Sequence, residues 1–386
     1  MKRVLFFAVL LWGLNIEATD SVLTFLQAVE QLHKEHGKHL SELKADLILG
    51  PVLDVGRDAE GWNLSENPCE TALLGEAMRR GWEQGGPFLV APKHFPGLGA
   101  REVDTHDHLE ILNITPTDPE IIPFRYSVQQ GAKALLLGHG IYPAFEKNPE
   151  KAVPAGFSSS VIGFLRDPKK GLGFHGLVIV DDVLMGAVTH FYQKEGWNSP
   201  DVSLFSATRV KESIWAGADL VMVFYWRENK KIVEETLRVF EEGIQKDKSL
   251  SKKLDDAVLR ILQAKREFFS GLTVFAQSDA EILKRMDLRE KISQILFLWH
   301  SEDPNENPVE GIGAYRFPSH RSRKEWFNQN RHEVKVKSII PTFVAIDQRK
   351  GYSPHFKKTL VQPILLGAAL KEILGNRDAC KYLLNP

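Results

Sequence analysis

The sequence lacks the features that mark several large classes of protein. Its 386 residues include only two cysteines, Cys69 and Cys380, too few for a disulfide framework or a cysteine-rich zinc site. Lysine and arginine total 49 against 50 aspartates and glutamates, so the formal net charge is −1 and no basic surplus favours nucleic acid. No glycine- or serine-rich linker divides the chain. These absences favour one globular domain that does not bind nucleic acid, and they do not indicate an oligomeric state.

Long apolar runs are also scarce, and the N-terminus carries the one that needs an explanation. Lys2 and Arg3 precede VLFFAVLLWGLNI, a run too short to span a bilayer comfortably, and Ala18 offers a small residue for cleavage. We interpret residues 1–18 as a secretory signal peptide, which predicts a periplasmic or secreted protein without stable membrane insertion. The alternative is a buried helix or strand of the domain, in which case the protein stays in the cytoplasm.

From residue 45 onward, short apolar runs alternate with amphipathic helical stretches. The segments ADLILGPVLDVG, FLVAPKHF, AKALLLGHG, GLVIVDD and ADLVMVFY have the continuous apolar character of strands covered on both faces. Residues 280–386 continue the pattern: LREKISQILFLW predicts a helix and a strand, VEGIGAYRF a strand, RKEWFNQNRHEVK a helix, IIPTFVAIDQ a strand and PILLGAALKEIL a helix. Repeated β–α units predict a parallel sheet, either closed into a barrel or doubly wound.

Polar residues at the strand ends favour the barrel. A barrel gathers the carboxyl-terminal ends of its strands on one face, where active sites form, whereas a doubly wound sheet usually begins with a G-x-G-x-x-G fingerprint that is absent here. We therefore predict an α/β fold, a single-domain (β/α)8-type TIM barrel over residues 20–386. The polar residues at the carboxyl-terminal ends of the predicted strands are Asp54, Lys93, His94, His139, Asp181, Asp182 and Asp347.

Histidines near this face raise the question of a metal. His94, His106, His108 and His139 all fall close to strand ends, and histidine with aspartate ligates zinc well. Neither H-E-x-x-H nor another tight ligand spacing is present. We therefore predict no metal site.

Two acidic patterns suggest acid–base and nucleophilic chemistry. Asp181 and Asp182 follow GLVIV; either one can cap the next helix, or a carboxylate at this face can attack a sugar, and Asp181 is nearer the strand end. Asp104 and His106 are two residues apart, so on an extended loop the carboxylate can fix the tautomer and raise the basicity of the imidazole. The alternative for this second pair is a solvated polar loop.

Several stretches resemble family 3 glycoside hydrolases, in particular their bacterial β-N-acetylglucosaminidase branch. KHFPGLG followed by DTH is similar to that branch's K-H-F-P-G-H-G…D-S-H signature, GFHGLVIVDDVLMGA resembles the strand that carries the nucleophile, and GPVLDVG and AGADLVMV match further barrel strands. The resemblance implies a nucleophile, a general acid/base, a carboxylate that orients it, and three sugar-binding residues. The implied nucleophile is Asp181, the implied general acid/base is His106, and the carboxylate that orients it is Asp104. The implied sugar-binding residues are Lys93, His94 and Asp347.

The resemblance implies a retaining exo-glycosidase that releases terminal β-linked N-acetylglucosamine, for example from peptidoglycan fragments, without a metal or organic cofactor. Part of the family pattern is altered. Arg349 and Lys350 stand where the pattern has glutamate and glycine, and Leu98 stands where it has histidine. A non-catalytic glycan-binding relative therefore stays open as an alternative, and so does a glycoside phosphorylase, because a histidine acid/base tolerates an anionic acceptor.

The order of the matching segments differs from that of the family. Residues 280–386 resemble its first strands, whereas residues 20–270 resemble the later part, so the whole resembles a circular permutation. A permutation is physically reasonable where native termini lie close together on the surface. Rival explanations are a fused gene fragment or an artefact of sequence assembly. The permutation predicts that TFVAIDQ lies directly beside ADLILGPVLD, and that the C-terminal helix ends near residue 20.

Overall fold

Apolar runs form the strands of a closed parallel barrel in the computed structural model. The structure describes residues 18–42, 45–56, 62–99, 108–197, 199–224, 229–269, 273–299, 312–316, 340, 342–347 and 363–383. Neighbouring strands follow chain order, and the last pairs with the first. The predicted (β/α)8-type TIM barrel is confirmed. The strands are β1 (Leu47–Val52), β2 (Leu89–Phe95), β3 (Ala134–Leu137), β4 (Leu177–Val180), β5 (Leu220–Val223), β6 (Leu296–Trp299), β7 (Ala314–Arg316) and β8 (Phe343–Asp347).

Helices surround the barrel, and most begin or end at residues suited to that position. Asn67, for example, accepts the N–H groups of Cys69 and Glu70 and starts the second helix. In the part of the chain that the structure describes, no helix is both long and apolar enough to cross a membrane. The helices are α1 (Ala18–Glu42), α2 (Pro68–Gly85), α3 (Ile122–Gln129), α4 (Ser159–Arg166), α5 (Gly186–Lys194), α6 (Val202–Ala216), α7 (Asn229–Lys246), α8 (Ser249–Phe269), α9 (Asp279–Arg285), α10 (Leu288–Ile295) and α11 (Pro363–Leu374).

The last three strands close the barrel. Leu47 of β1 pairs in parallel with Ala345 of β8, and Val221 of β5 pairs with Leu296 of β6. This confirms that TFVAIDQ lies directly beside ADLILGPVLD, and it shows that β6–β8 belong to the barrel rather than to a detached domain. The helix predicted for residues 323–335 lies outside the described residues. Helix α11 packs against α1, and the end of the C-terminal helix near residue 20 stays a prediction.

A disulfide fixes the C-terminal part of the chain to the barrel. Cys69, in the first turn of α2, is bonded to Cys380 in a short 3-10 helix, Ala379–Leu383. The two cysteines are 311 residues apart in sequence, and the sequence carries no signal for their pairing. The bond joins a helix of the first half of the barrel to the segment that follows α11.

Buried polar contacts stabilise the amino-terminal end of the barrel, opposite the predicted site. Asp219, just before β5, accepts from Arg166 at 2.6 Å, from Arg260 at 2.6 Å and from the backbone N–H of Val178 at 2.8 Å. Asp46, just before β1, accepts from a backbone N–H of β8 at 3.2 Å. Charged groups buried at this depth require partners, and this end of a TIM barrel serves stability.

Helices α1 and α2 pack unusually close together because glycines line their contact. A β-carbon placed on Gly81 would lie 2.3 Å from the carbonyl oxygen of Glu30, and one on Gly85 would lie 2.4 Å from that of Lys34. The indole of Trp82 fills the space beside these glycines and is buried. The pair of helices forms a second hydrophobic cluster together with α11 and one face of β1 and β2.

Candidate active site

Polar side chains meet at the carboxyl-terminal end of the barrel. Lys93, in β2, donates from Nζ to Oδ1 of Asp347, at the end of β8, over 2.5 Å. These residues are 254 positions apart in sequence, so only closure of the barrel brings them together. Lys93 is 1% exposed, and an ammonium group at that depth requires a counter-charge. The two side chains therefore form a buried ion pair across the closed barrel.

His94 lies between two carboxylates that come from different strands. Its Nδ1 is 2.8 Å from Oδ2 of Asp54, just after β1. Its Nε2 is 3.8 Å from Oδ2 of Asp181, the first residue after β4. All three side chains are buried. The imidazole thus connects the end of β1 to the residue that the resemblance implies is the nucleophile.

Asp181 and Asp182 have different surroundings although they are neighbours. Oδ1 of Asp181 accepts the N–H of Asp182 at 2.8 Å, and Oδ2 faces His94. Oδ1 of Asp182 instead accepts the N–H groups of Leu184 at 3.1 Å and Phe224 at 3.0 Å. Asp182 therefore holds the turn after β4, and neither aspartate caps α5, because its N-cap is Met185 and no side chain accepts a hydrogen bond there. Asp181 has the inward position that favours it as the reactive carboxylate.

His139 holds the backbone that carries Asp181. Its Nε2 is 3.1 Å from the carbonyl oxygen of Asp181 and 3.1 Å from that of Asp182, so it donates its proton to them. Burial lowers the pKa of His139, which keeps the ring neutral, and the ring stacks on Phe157 with 5.6 Å between centroids. A β-carbon on Gly156 would lie 3.2 Å from the imidazole, so the absence of a side chain there leaves room for the ring.

The predicted acid/base pair lies outside the part of the chain that is described. Asp104 and His106 fall within residues 100–107, outside the described residues, so their functions stay predictions. The turn that leads to them is described as far as Gly99. Within that turn, Leu98 donates its N–H to Oδ1 of Asp54 at 3.0 Å and is itself buried. The turn that ends at Gly99 is therefore fixed to the end of β1.

Three of the four histidines considered for a metal are described, and each contacts another group of the protein. His94 is bound to a carboxylate, His139 is bound to backbone carbonyl oxygens, and His108 stacks on His190 with 6.3 Å between centroids. His106 is outside the described residues. Over the ranges that the structure describes, no group of three or more histidine, cysteine, aspartate or glutamate side chains could hold a metal ion.

Two residues of this constellation received no function from the sequence. Asp54 and His139 stood out only because each follows an apolar strand, the same signal that singled out Lys93 and Asp181. What they contact depends on strand order and on the turns after the strands. The position of a residue in a strand predicts which face it reaches, but it does not predict its partner.

Comparison with known proteins gives a family. The model for the glycosyl hydrolase family 3 N terminal domain matches residues 15–264. A beta-hexosaminidase of Nitrosomonas eutropha is 32% identical over 202 residues, which cover 47% of this chain and 50% of that protein. One from Stenotrophomonas maltophilia strain K279a is 31% identical over 217 residues, which cover 52% of this chain and 56% of that protein. The chain thus spans about half the length of the curated relatives it matches.

Solved structures share the barrel. The beta-N-acetylhexosaminidase from Beutenbergia cavernae is 24% identical, with a TM-score of 0.51, and the similarity covers 64% of this chain and 70% of that one. A family 3 beta-N-acetylglucosaminidase from Paenibacillus sp. is 21% identical, with a TM-score of 0.51, covering 92% of this chain and 71% of that one. At these identities the similarity concerns the fold alone.

Proposed function

This chain belongs to glycosyl hydrolase family 3, and we propose that it is a retaining exo-glycosidase that hydrolyses terminal β-linked N-acetylglucosamine. One observation carries the proposal. Oδ2 of Asp181 faces His94 at the carboxyl-terminal end of the barrel, where the buried Lys93–Asp347 pair also lies. The relatives named beta-hexosaminidase support a hexosamine as the sugar. Glycans such as peptidoglycan fragments are the source of substrate that we propose.

The reaction takes two steps at the anomeric carbon. In the first, a carboxylate oxygen of Asp181 bonds to that carbon while the glycosidic bond breaks, and His106 gives its proton to the leaving oxygen. In the second, His106 takes a proton from water, the water oxygen bonds to the anomeric carbon, and the Asp181 carboxylate is released. Asp104 holds the imidazole and favours its protonated form. Each step inverts the configuration at the anomeric carbon, so the two steps together retain it.

The buried polar residues around Asp181 bind the sugar. Lys93 and Asp347 offer a donor and an acceptor at the same place, which suits hydroxyl groups that both donate and accept. His94 adds a ring nitrogen on the side of Asp181. Fixed donors and acceptors of this kind orient a substrate before reaction, which lowers the entropic part of the barrier.

A non-catalytic glycan-binding protein is the second candidate. Arg349 and Lys350 directly follow the segment of Asp347, and they replace the glutamate and glycine of the family pattern. Changed residues next to a sugar-binding aspartate favour recognition without turnover. This candidate predicts that N-acetylglucosamine binds and that binding persists in Asp181→Asn, whereas no product forms.

The decisive experiment measures release of p-nitrophenol from its β-N-acetylglucosaminide. Asp181→Asn keeps the size of the side chain and removes the charged nucleophile, so we expect kcat to fall roughly a thousandfold or more. Asp182→Asn is the matched control, because the amide oxygen can still accept from Leu184 and Phe224. We expect that variant to keep most of the activity.

Two further arms separate the alternatives. A 5-fluoro glycosyl donor of the same sugar should leave its fluorinated glycosyl group bonded to the peptide that contains Asp181, as a retaining mechanism requires. Turnover that depends on added inorganic phosphate would instead identify a phosphorylase. Equal rates for the wild type and Asp181→Asn would contradict the assignment of the nucleophile.

We also propose that the chain is a circular permutation of the family barrel. The family model matches residues 15–264, which contain β1–β5, whereas β6–β8 come from residues after that range. Pairing of β5 with β6 and of β8 with β1 is what a permuted order requires. The test is a reordered protein in which residues 280–386 precede residues 20–270. A reordered chain that unfolds with the same midpoint and keeps the activity supports the permutation, and one that fails to fold contradicts it.

The compartment that we propose is the periplasm or the cell exterior, reached through cleavage after the N-terminal segment. The Cys69–Cys380 bond supports an oxidising environment, because such bonds persist mainly in secreted and periplasmic proteins. Mass spectrometry of the protein recovered from cells is the test. A mature mass that includes residues 1–18 would place the protein in the cytoplasm instead.

A further inference from the structure

Asp54 uses both of its carboxylate oxygens within a buried site. Oδ2 is 2.8 Å from Nδ1 of His94, and Oδ1 accepts two backbone N–H groups, from His94 at 3.2 Å and from Leu98 at 3.0 Å. The residue is 3% exposed. Backbone N–H groups are fixed donors, so they set the orientation of the carboxylate, and the carboxylate in turn sets the orientation of the imidazole.

This contact determines which ring nitrogen of His94 carries a proton. An ionised carboxylate can only accept hydrogen bonds, so the nitrogen that faces it must be protonated. Nδ1 therefore carries hydrogen, and in the neutral ring Nε2 keeps its lone pair. Nε2 of His94 lies 3.8 Å from Oδ2 of Asp181. A neutral ring held in this way presents an acceptor to a sugar hydroxyl, whereas the opposite tautomer presents a donor.

The second oxygen of Asp54 fixes the turn that precedes residues 100–107. Besides the N–H groups of His94 and Leu98, the turn is held by Tyr142, which donates to the carbonyl oxygen of Gly97 at 2.7 Å. The imidazole and the turn thus have separate contacts on the same carboxylate. A substitution that changes only one oxygen can distinguish the two effects.

We propose that Asp54 is a positioning residue that holds His94 as its Nδ1–H tautomer, with Nε2 directed to the substrate beside Asp181. Its effect on turnover rests on the proposed glycosidase function. Its effect on the tautomer does not, since the hydrogen bond joins two side chains of the protein itself. Asp54 acts on the reaction through the groups that it holds, His94 above all, and it makes no bond to the reacting atoms.

Asp54→Asn is the informative variant. The two backbone N–H donors keep the amide oxygen on their side, so the amide NH2 group takes the position of Oδ2 and faces Nδ1 of His94. An NH2 group only donates, so His94 must accept at Nδ1 and carry its proton at Nε2. The matched control is Asp46→Asn. Asp46 lies at the other end of β1, is also buried, and also accepts a backbone N–H.

Imidazole nitrogen NMR of protein labelled with [15N]histidine reads the tautomer directly, with the His94 signals identified by His94→Gln. We expect Nδ1 of His94 to be protonated in the wild type and Nε2 in Asp54→Asn, with no change in Asp46→Asn. An unprotonated Nδ1 in the wild type would overturn the proposal, and that measurement requires no variant of Asp54. An unchanged tautomer in Asp54→Asn would overturn it as well.

The kinetic arm uses the β-N-acetylglucosaminide. We expect kcat/KM of Asp54→Asn to fall roughly 10- to 100-fold, as for loss of one hydrogen bond to a charged group, with that of Asp46→Asn within about twofold of the wild type. A changed tautomer with unchanged kcat/KM would overturn the positioning effect on turnover. If the wild type itself shows no turnover, the proposed function fails, and the NMR measurement still decides how His94 is held.

Discussion

Two histidines buried between α1 and α2 should make the protein sensitive to acid. Nδ1 of His33 donates to the carbonyl oxygen of Val29 at 2.8 Å, and Nδ1 of His36 accepts from the indole N–H of Trp82 at 3.1 Å. Burial lowers the pKa of His33 from 6.5 to about 4. Burial, with smaller effects of the neighbouring histidines, lowers the pKa of His36 from 6.5 to about 3. Both rings are therefore neutral in the folded protein near neutral pH.

The sign of the effect follows from which state binds protons. Below pH 6.5 the unfolded chain protonates both histidines, whereas the folded protein excludes those protons down to the lowered pKa values. The unfolding free energy therefore falls as the pH falls through 6.5. The stability that the two neutral histidines preserve is fully present above that pH. Between about pH 8 and about pH 5 the loss is about 2 kcal/mol for each histidine, because both are still mostly neutral in the folded state at the lower pH. The two together contribute about 4 kcal/mol.

Urea unfolding at these two pH values measures the loss, with tryptophan fluorescence as the signal. His33→Leu removes one of the two groups, so we expect its loss of unfolding free energy to be about 2 kcal/mol smaller than that of the wild type. His39→Gln is the control, because His39 is on the same helix and half exposed. Carboxylates elsewhere titrate alike in all three proteins and cancel. A loss in His33→Leu equal to that of the wild type would refute the reasoning.

Three other perturbations test how the barrel is held together. Replacing Cys69 and Cys380 with serine should lower the unfolding free energy by about 2–5 kcal/mol, since the bond closes a very long loop, and an unchanged urea midpoint would contradict this. Gly81→Ala should cost about 1–3 kcal/mol because its β-carbon would lie 2.3 Å from a carbonyl oxygen of α1. Gly163→Ala should be neutral or stabilising, because its β-carbon would have no atom within 4 Å. Equal thermal midpoints for the two glycine variants would contradict this explanation. Asp219→Asn should destabilise by about 3 kcal/mol yet leave kcat/KM of the folded protein unchanged, and a lower kcat/KM would show that the amino-terminal end affects the site.

Much of the fold can be predicted from the sequence because buried parallel strands are continuous apolar runs. β4 and β5 stand out in this way, and the glycines and capping residues around them mark the helices between. That β8 lies beside β1 follows once closure is assumed, whereas the register of Leu47 against Ala345 depends on contacts between the two strands. The short strand Ala314–Arg316 was also predicted, within VEGIGAYRF, although its three residues carry little signal of their own.

The position of a residue along its strand predicts part of the site, whereas the rest depends on contacts between segments that are distant in sequence. Lys93 lies near the carboxyl-terminal end of β2 and Asp181 directly follows β4, so their face of the barrel is predictable, and the structure brings both to it. The contact of Asp54 with His94 joins two strands through a turn whose path no local pattern specifies. The Cys69–Cys380 bond likewise depends on where α11 ends relative to α2. In each case the deciding quantity is a distance between segments that are far apart in sequence.

The part of the chain beyond the family match completes both the barrel and the site. Residues 15–264 contain β1–β5, so a protein limited to that range would expose the edges of β1 and β5. It would also leave Lys93 buried without Asp347, and a buried ammonium group without its counter-charge is strongly destabilising. β6–β8 therefore supply hydrogen bonds to two open edges and the carboxylate that Lys93 requires. Since the proposed binding of a sugar uses both members of that pair, the proposed function requires residues 280–386 as much as it requires Asp181.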